Sequence, residues 1–147
     1  SGTICRGNFA TIFATGASSY IWNNGKTTFA ITENPSSTTS YSVTGTSSAG
    51  CKSSATSTIT VNAVPVVNTT SDTICNGEIG VISASGASRY VWSNGKTNDT
   101  ISENPNGSRT YQVTGYTAEG CSSAATSTIT VNPIPVILVT SNSICYG

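Results

Sequence analysis

The chain has 147 residues, with six basic and six acidic side chains, no histidine and a formal net charge of zero. That balance leaves no basic field to hold nucleic acid or an anionic membrane surface, and no apolar run approaches the ~18 residues of a membrane span. Charged residues make up only 8% against 36% hydrophobic, so a core can be buried while the wetted surface is built from Ser, Thr, Asn and Gly, a composition that suits exposed sheet faces.

In chain order, short runs of period two come first. Ala10, Ile12 and Ala14 alternate with other side chains, as do Tyr20 with Trp22 and Tyr41 with Val43. This is the spacing of strands with one buried face. Gly16, Asn24-Gly25, Asn34-Pro35 and Gly50 separate the runs as turn signals. Asn24-Gly25 predicts a tight hairpin, because both residue types tolerate positive φ. In Ala55-Thr56-Ser57-Thr58-Ile59-Thr60-Val61, small or apolar residues alternate with threonines. Pro65 follows in the short apolar linker Asn62-Ala63-Val64-Pro65-Val66, where a restricted φ predicts docked neighbours rather than a loose tether. No segment longer than a turn has helical spacing. The expectation is all-β, with short strands and even turn spacing arranged as a sandwich.

The pattern then repeats. Cys5, Cys75 and Cys145 stand at a constant interval of 70 residues, which also relates Trp22 to Trp92, Tyr41 to Tyr111, Cys51 to Cys121 and Pro65 to Pro135. About half of the positions aligned in this way are identical, without a gap. Solenoid repeats are shorter, ~20–50 residues, so the unit reads as a small domain. The expected division is residues 1–63, a module with an incomplete first strand; 64–133, a complete module; and 134–147, the first strand of a third. The natural array is expected to be longer.

The residues Ile74 to Gly77, Gly86 to Gly95, Pro105 to Gly115, Gly120-Cys121 and Thr128 to Asn132 carry the patterns Ile-Cys-x-Gly, Gly-Ala-x-x-Tyr-x-Trp-x-Asn-Gly, Pro-x-x-x-x-x-Tyr-x-Val-Thr-Gly, Gly-Cys and Thr-Ile-Thr-Val-Asn. Both copies carry them, and in this the chain resembles the immunoglobulin-like and PKD-like tandem repeats of giant surface proteins in Bacteroidota. The resemblance implies secretion through the type nine system, a place at the cell surface or outside it, and roles in adhesion, gliding or fibre formation. It also makes Thr73 and Thr100, each in an Asp-Thr-Ile triplet, candidate O-glycosylation sites. The cysteines depart from the antibody pattern, in which one stands two residues after the corner tyrosine. Here those positions are Val43 and Val113.

Cys5, Cys51, Cys75, Cys121 and Cys145 recur beside glycines with no histidine and no Cys-x-x-Cys. That argues against a metal centre or an activated thiol and for disulfides. Pairing within a copy, Cys5–Cys51 and Cys75–Cys121, is the leading expectation; pairing between copies, Cys51–Cys75 and Cys121–Cys145, is the alternative. The strand count decides: in a six-stranded sandwich the first and last turns meet, whereas in a seven-stranded one they lie at opposite ends and a bond such as Cys5–Cys121 becomes the candidate. No cofactor and no catalytic residues are expected, since isolated carboxylates offer poor acid–base machinery. The leading function is a structural shaft of a surface adhesin or fibre, whose partners are neighbouring modules and laterally associated chains. The alternatives are a carbohydrate-binding array, with Trp22 and Trp92 as stacking platforms, or the accessory repeats of a secreted polysaccharide-degrading enzyme.

Overall fold

The computed structural model describes residues 1–142. They form thirteen strands and no helix: β1 (Gly2–Cys5), β2 (Ala10–Phe13), β3 (Ser19–Trp22), β4 (Ala30–Glu33), β5 (Thr39–Thr46), β6 (Lys52–Asn62), β7 (Asn68–Thr69), β8 (Asp72–Cys75), β9 (Gly80–Ser85), β10 (Arg89–Trp92), β11 (Thr100–Glu103), β12 (Arg109–Tyr116) and β13 (Ser122–Asn132). The chain divides into two compact units. The first comprises Ser1–Val66 together with Tyr116–Ser123; the second comprises Val67–Gly115 and the chain from Ala124 onward.

In the first unit a four-stranded sheet of order β1-β6-β5-β3 faces the pair β2-β4. Trp22, Ile31, Tyr41, Val43 and Ile59 form its buried core, with Ile12, Ala14 and Tyr20 partly covered beside them. The second unit pairs a sheet of order β10-β12-β13-β8 with one of order β11-β9-β7. Its core is larger, adding Ile74, Ile82, Ala84 and Tyr90 to Trp92, Ile101, Tyr111, Val113 and Ile129. Two sheets closing on one core is the arrangement of a β-sandwich.

The alternation read from sequence sets the faces. Along β13, Ser127 and Ile129 are buried and Ser123, Ala125 and Val131 half-buried, while the intervening Thr126 and Thr130 are exposed. Threonines on the wet face pair across strands, as in Thr110 with Thr128 at 3.0 Å and Ser40 with Thr58 at 2.9 Å. Such hydroxyl ladders replace the usual charges and each contributes a fraction of a kcal/mol.

Two local features decide the topology. β1 runs parallel to β6 and β8 parallel to β13, with Cys5 opposite Asn62 and Cys75 opposite Asn132. The Asn24-Gly25 turn does not close a hairpin. Gly25 N–H bonds the Trp22 carbonyl and Trp22 N–H bonds the Lys26 carbonyl, at 2.9 and 2.8 Å. Among the described residues only glycines have positive φ, so Asn24 keeps a negative φ and Gly25 alone, at φ 83°, takes the left-handed position in this turn. The chain then crosses to the opposite sheet, since β3 pairs with β5 and β4 with β2.

Candidate functional site

Two features stand out from the sandwich: a covalent staple and an open groove.

The staple joins Cys5 to Cys121, 116 residues apart, with a Cα–Cα distance of 5.5 Å. Each cysteine is held at a strand end by a glycine turn. Cys5 closes β1, and its carbonyl accepts from Asn8 N–H at 3.0 Å around Gly7, whose φ is 93°. Cys121 precedes β13 in a turn where Thr117 N–H bonds the Cys121 carbonyl at 2.8 Å and Gly120 takes φ 86°. Cys121 is 1% exposed. Cys51, its counterpart in the first repeat, and Cys75 are exposed and unbonded.

This corrects the pairing expected within a copy. Cys5 ends the strand that runs parallel to β6 and lies beside Asn62, whereas Cys51 precedes Lys52 at the other end of β6. The eleven residues of β6 at ~3.3 Å each separate the two ends by roughly 35 Å, far beyond the ~7 Å a disulfide spans. Cys75, opposite Asn132, is removed from Cys121 by the length of β13 in the same way. The bond between Cys121 and Cys5 also excludes Cys121–Cys145, and Cys51 and Cys75 are not joined. Cys145 itself lies outside the described residues. The parallel pairing of β1 with β6 and of β8 with β13 puts the two turns of a copy at opposite ends, in the first unit with its six strands, β1 to β6, as in the second with its seven, β7 to β13, so the strand count does not decide the pairing.

The groove belongs to the first unit, where it encloses about 620 Å³ between β2, β5 and β6. Its counterpart in the second unit is filled by Val67 to Thr70. There β7 pairs antiparallel to β9, with Asn68 opposite Ser85 and Thr69 opposite Ala84. Val67 packs on Gly115 so closely that a Cβ on that glycine would stand 2.5 Å from the valine methyl. Ser127 donates its hydroxyl to the Thr70 carbonyl. In the first unit the equivalent positions, Ala14, Thr15, Gly45 and Ser57, line the groove, and β2 pairs on one edge alone, with β4. Ser57 Oγ is shielded from solvent and has no hydrogen-bond partner.

The tryptophans are not surface platforms. Trp22 and Trp92 are 3% and 2% exposed, and each indole N–H donates at 2.9 Å to a carbonyl, of Thr28 and Asn98 respectively. The recurring Glu33 and Glu103 tie the Asn-Gly turns to the sheet. Glu33 accepts from Asn24 at 2.8 Å and Lys26 at 2.7 Å, and Glu103 from Asn94 at 2.6 Å and lies 2.7 Å from Lys96. Asp72 caps the backbone N–H groups of Thr73 and Val81, both at 2.8 Å. Thr73 and Thr100 are exposed, in β8 and at the start of β11. Burial pushes the Tyr41 phenol above its ordinary value, the Glu33 carboxylate adds to that, and the Lys26 ammonium opposes it. Among the described residues, no three His, Cys, Asp or Glu side chains come together as a metal site.

The groove is not legible in the strand pattern alone. The signal for it is the row of small residues Ser53, Ala55 and Ser57 ahead of Ile59, repeated as Ser123, Ala125 and Ser127 ahead of Ile129.

No family model matches the chain, and no curated protein matches it. Among solved structures it matches the SGBP-B of the Bacteroides ovatus mixed-linkage glucan utilization locus, solved with a mixed-linkage heptasaccharide. Identity is 16% over 89% of this chain, and the TM-score is 0.26. The chain spans 43% of that protein, and a likeness this low carries no argument about function.

Proposed function

We propose that the chain is a non-catalytic, load-bearing segment of a secreted cell-surface adhesin or extracellular fibre, built from tandem immunoglobulin-like sandwiches of 70 residues. The seven strands in two sheets of the second unit support the immunoglobulin-like reading. A disulfide, in a chain without metal-binding cysteine spacing, supports an oxidising, extracytoplasmic setting.

The single observation that carries the mechanical reading is the Cys5–Cys121 bond. It ties the Ile-Cys strand of one repeat to the Gly-Cys turn of the next, so it acts on the array rather than on one module. Force applied at the chain ends passes from β1 through the disulfide into β13, bypassing the 116-residue interval. By the same rule Cys75 takes the Gly-Cys turn of a following copy, and Cys51 takes the Ile-Cys strand of a preceding one. Successive loops then overlap, and every junction is closed covalently.

A non-reducing peptide map of a four-copy array tests this. The expected result is a ladder of bonds, each joining an Ile-Cys-x-Gly peptide to the Gly-Cys peptide of the next copy. Bonds within a copy, or interior cysteines that remain reactive to alkylation, would contradict the reading.

A further inference from the structure

Four Asn-Gly pairs stand in the chain: Asn24-Gly25, Asn76-Gly77, Asn94-Gly95 and Asn106-Gly107. The dipeptide has a chemistry of its own, because a glycine nitrogen, with no Cβ beside it, can reach and attack the preceding carboxamide. We propose that Asn106 is a self-modifying site. In the folded chain it deamidates through a succinimide, while the same dipeptide at the other three positions is held against the reaction.

The Gly107 nitrogen gives its proton to solvent base and bonds to Asn106 Cγ. The bond from Cγ to Nδ2 breaks, and the departing nitrogen takes up a proton and leaves as ammonia. Water then opens the ring at one of its two carbonyls. The products are aspartate, or isoaspartate with the main chain rerouted through Cγ, and either adds one negative charge to a chain whose formal net charge is zero. The attack needs the nitrogen within about 3–3.5 Å of Cγ, so both the carboxamide and the main chain must be free to turn.

At three of the pairs they are not. Asn24 Nδ2 donates to Glu33 at 2.8 Å and Asn24 Oδ1 accepts from Lys26 N–H at 3.2 Å, which ties both ends of the carboxamide. The nucleophile is tied as well, since Gly25 N–H donates to the Trp22 carbonyl at 2.9 Å. The second copy repeats each bond: Asn94 on Glu103 at 2.6 Å, Lys96 N–H on Asn94 at 3.2 Å, and Gly95 N–H on the Trp92 carbonyl at 2.8 Å. Asn76-Gly77 is fixed through its main chain. Asn76 N–H donates to the Asn132 carbonyl at 2.9 Å, Glu78 N–H to the Cys75 carbonyl at 3.1 Å, and the Gly77 carbonyl accepts from Asn104 Nδ2 at 3.3 Å.

Asn106 and Gly107 lie between β11 and β12, and both are exposed. Among the described residues, neither the Asn106 carboxamide nor the Gly107 N–H has a hydrogen-bond partner. A Cβ on Gly107 would meet nothing within 4 Å. The first copy shows what this turn has lost. There it reads Ser36-Ser37-Thr38-Thr39, and the Thr39 hydroxyl donates to the Ser37 carbonyl at 2.7 Å. Arg109 takes the place of Thr39, and its guanidinium lies over the Tyr111 ring instead, 5.6 Å from the centroid. Asn104 and Ser108, which accepts from Val131 N–H at 2.9 Å, anchor the turn on either side and leave the pair between them to move.

The test is a timed incubation of the 147-residue chain, oxidised and with its free thiols alkylated, in mildly alkaline buffer with and without urea. Peptide mapping by mass spectrometry reads each site. In the folded chain Asn106 is expected to gain one dalton and to give both aspartate and isoaspartate. It should run about tenfold or more ahead of Asn24, Asn76 and Asn94, whose reaction waits on local opening. In urea the four rates should converge. Gly107→Ala, placed in open space, should slow Asn106 and leave Asn24 and Asn94 unchanged. A folded chain in which any of the other three keeps pace with Asn106 would overturn the proposal. So would an Asn106 that stays intact while the urea sample reacts, or aspartate formed without isoaspartate.

Discussion

Two serines 70 residues apart have opposite fates: Ser127 gives its hydroxyl to a carbonyl, and Ser57 has none to give it to. A buried hydroxyl left without its partner costs about 1–3 kcal/mol, so Ser127 depends on the Thr70 carbonyl for its place in the core. The glycine pair Gly45 and Gly115 divides in the same way. A Cβ on Gly115 would stand 2.5 Å from Val67 and 2.7 Å from Ala87, whereas on Gly45 it would meet only Ala17 that closely, at 2.8 Å. Gly115→Ala is therefore expected to cost about 1–3 kcal/mol as an overpacking change. Gly45→Ala should cost less, and hydrogen exchange at the amides of β10 and β3 would read the two effects separately. Tyr41 gives a pH signature. Its phenol is held above its ordinary value of 10.0 by burial first and by Glu33 second. The unfolded chain thus releases this proton before the folded one does. The contribution is complete below about pH 10 and is lost as pH rises through that value. Denaturation in urea at neutral and strongly alkaline pH should show the decline, and Tyr41→Phe should make it shallower.

At the scale of the strand, the period of two was legible because Thr and apolar residues alternate without interruption in Ala55–Val61. The buried Trp and Tyr of β3 and β5 followed from the same spacing. The direction of pairing was not legible. Nothing in Ile-Cys-x-Gly states that β1 lies parallel to β6, yet that alone sends Cys5 and Cys51 to opposite ends of an eleven-residue strand. The Asn24-Gly25 signal marked a true reversal but not its partner, because Gly25 alone takes positive φ and Glu33 anchors the turn to the other sheet. Likewise, the first strand of the second unit is split: β7 pairs with β9 and β8 with β13. The single linker read as Asn62–Val66 therefore leads straight into a core segment. What sequence left open at each point was a choice between sheets, which local residues do not encode.

For the whole molecule, the central claim is that the disulfide carries load past the folded interval. Closing a loop of 116 residues is worth about 5 kcal/mol against the unfolded chain on the loop-entropy account. Its mechanical effect is larger. With the bond intact, pulling on Ser1 and Gly147 can extend only the residues outside Cys5–Cys121. Cleaving it frees the enclosed interval, about 400 Å of contour at ~3.6 Å per residue. Single-molecule pulling on the terminally tethered chain, oxidised and then reduced in the same buffer, measures this difference. The account predicts that the oxidised chain stops short by about 400 Å and gains that length on reduction. Equal contour lengths in the two states, or a deficit matching a bond within one copy, would contradict it.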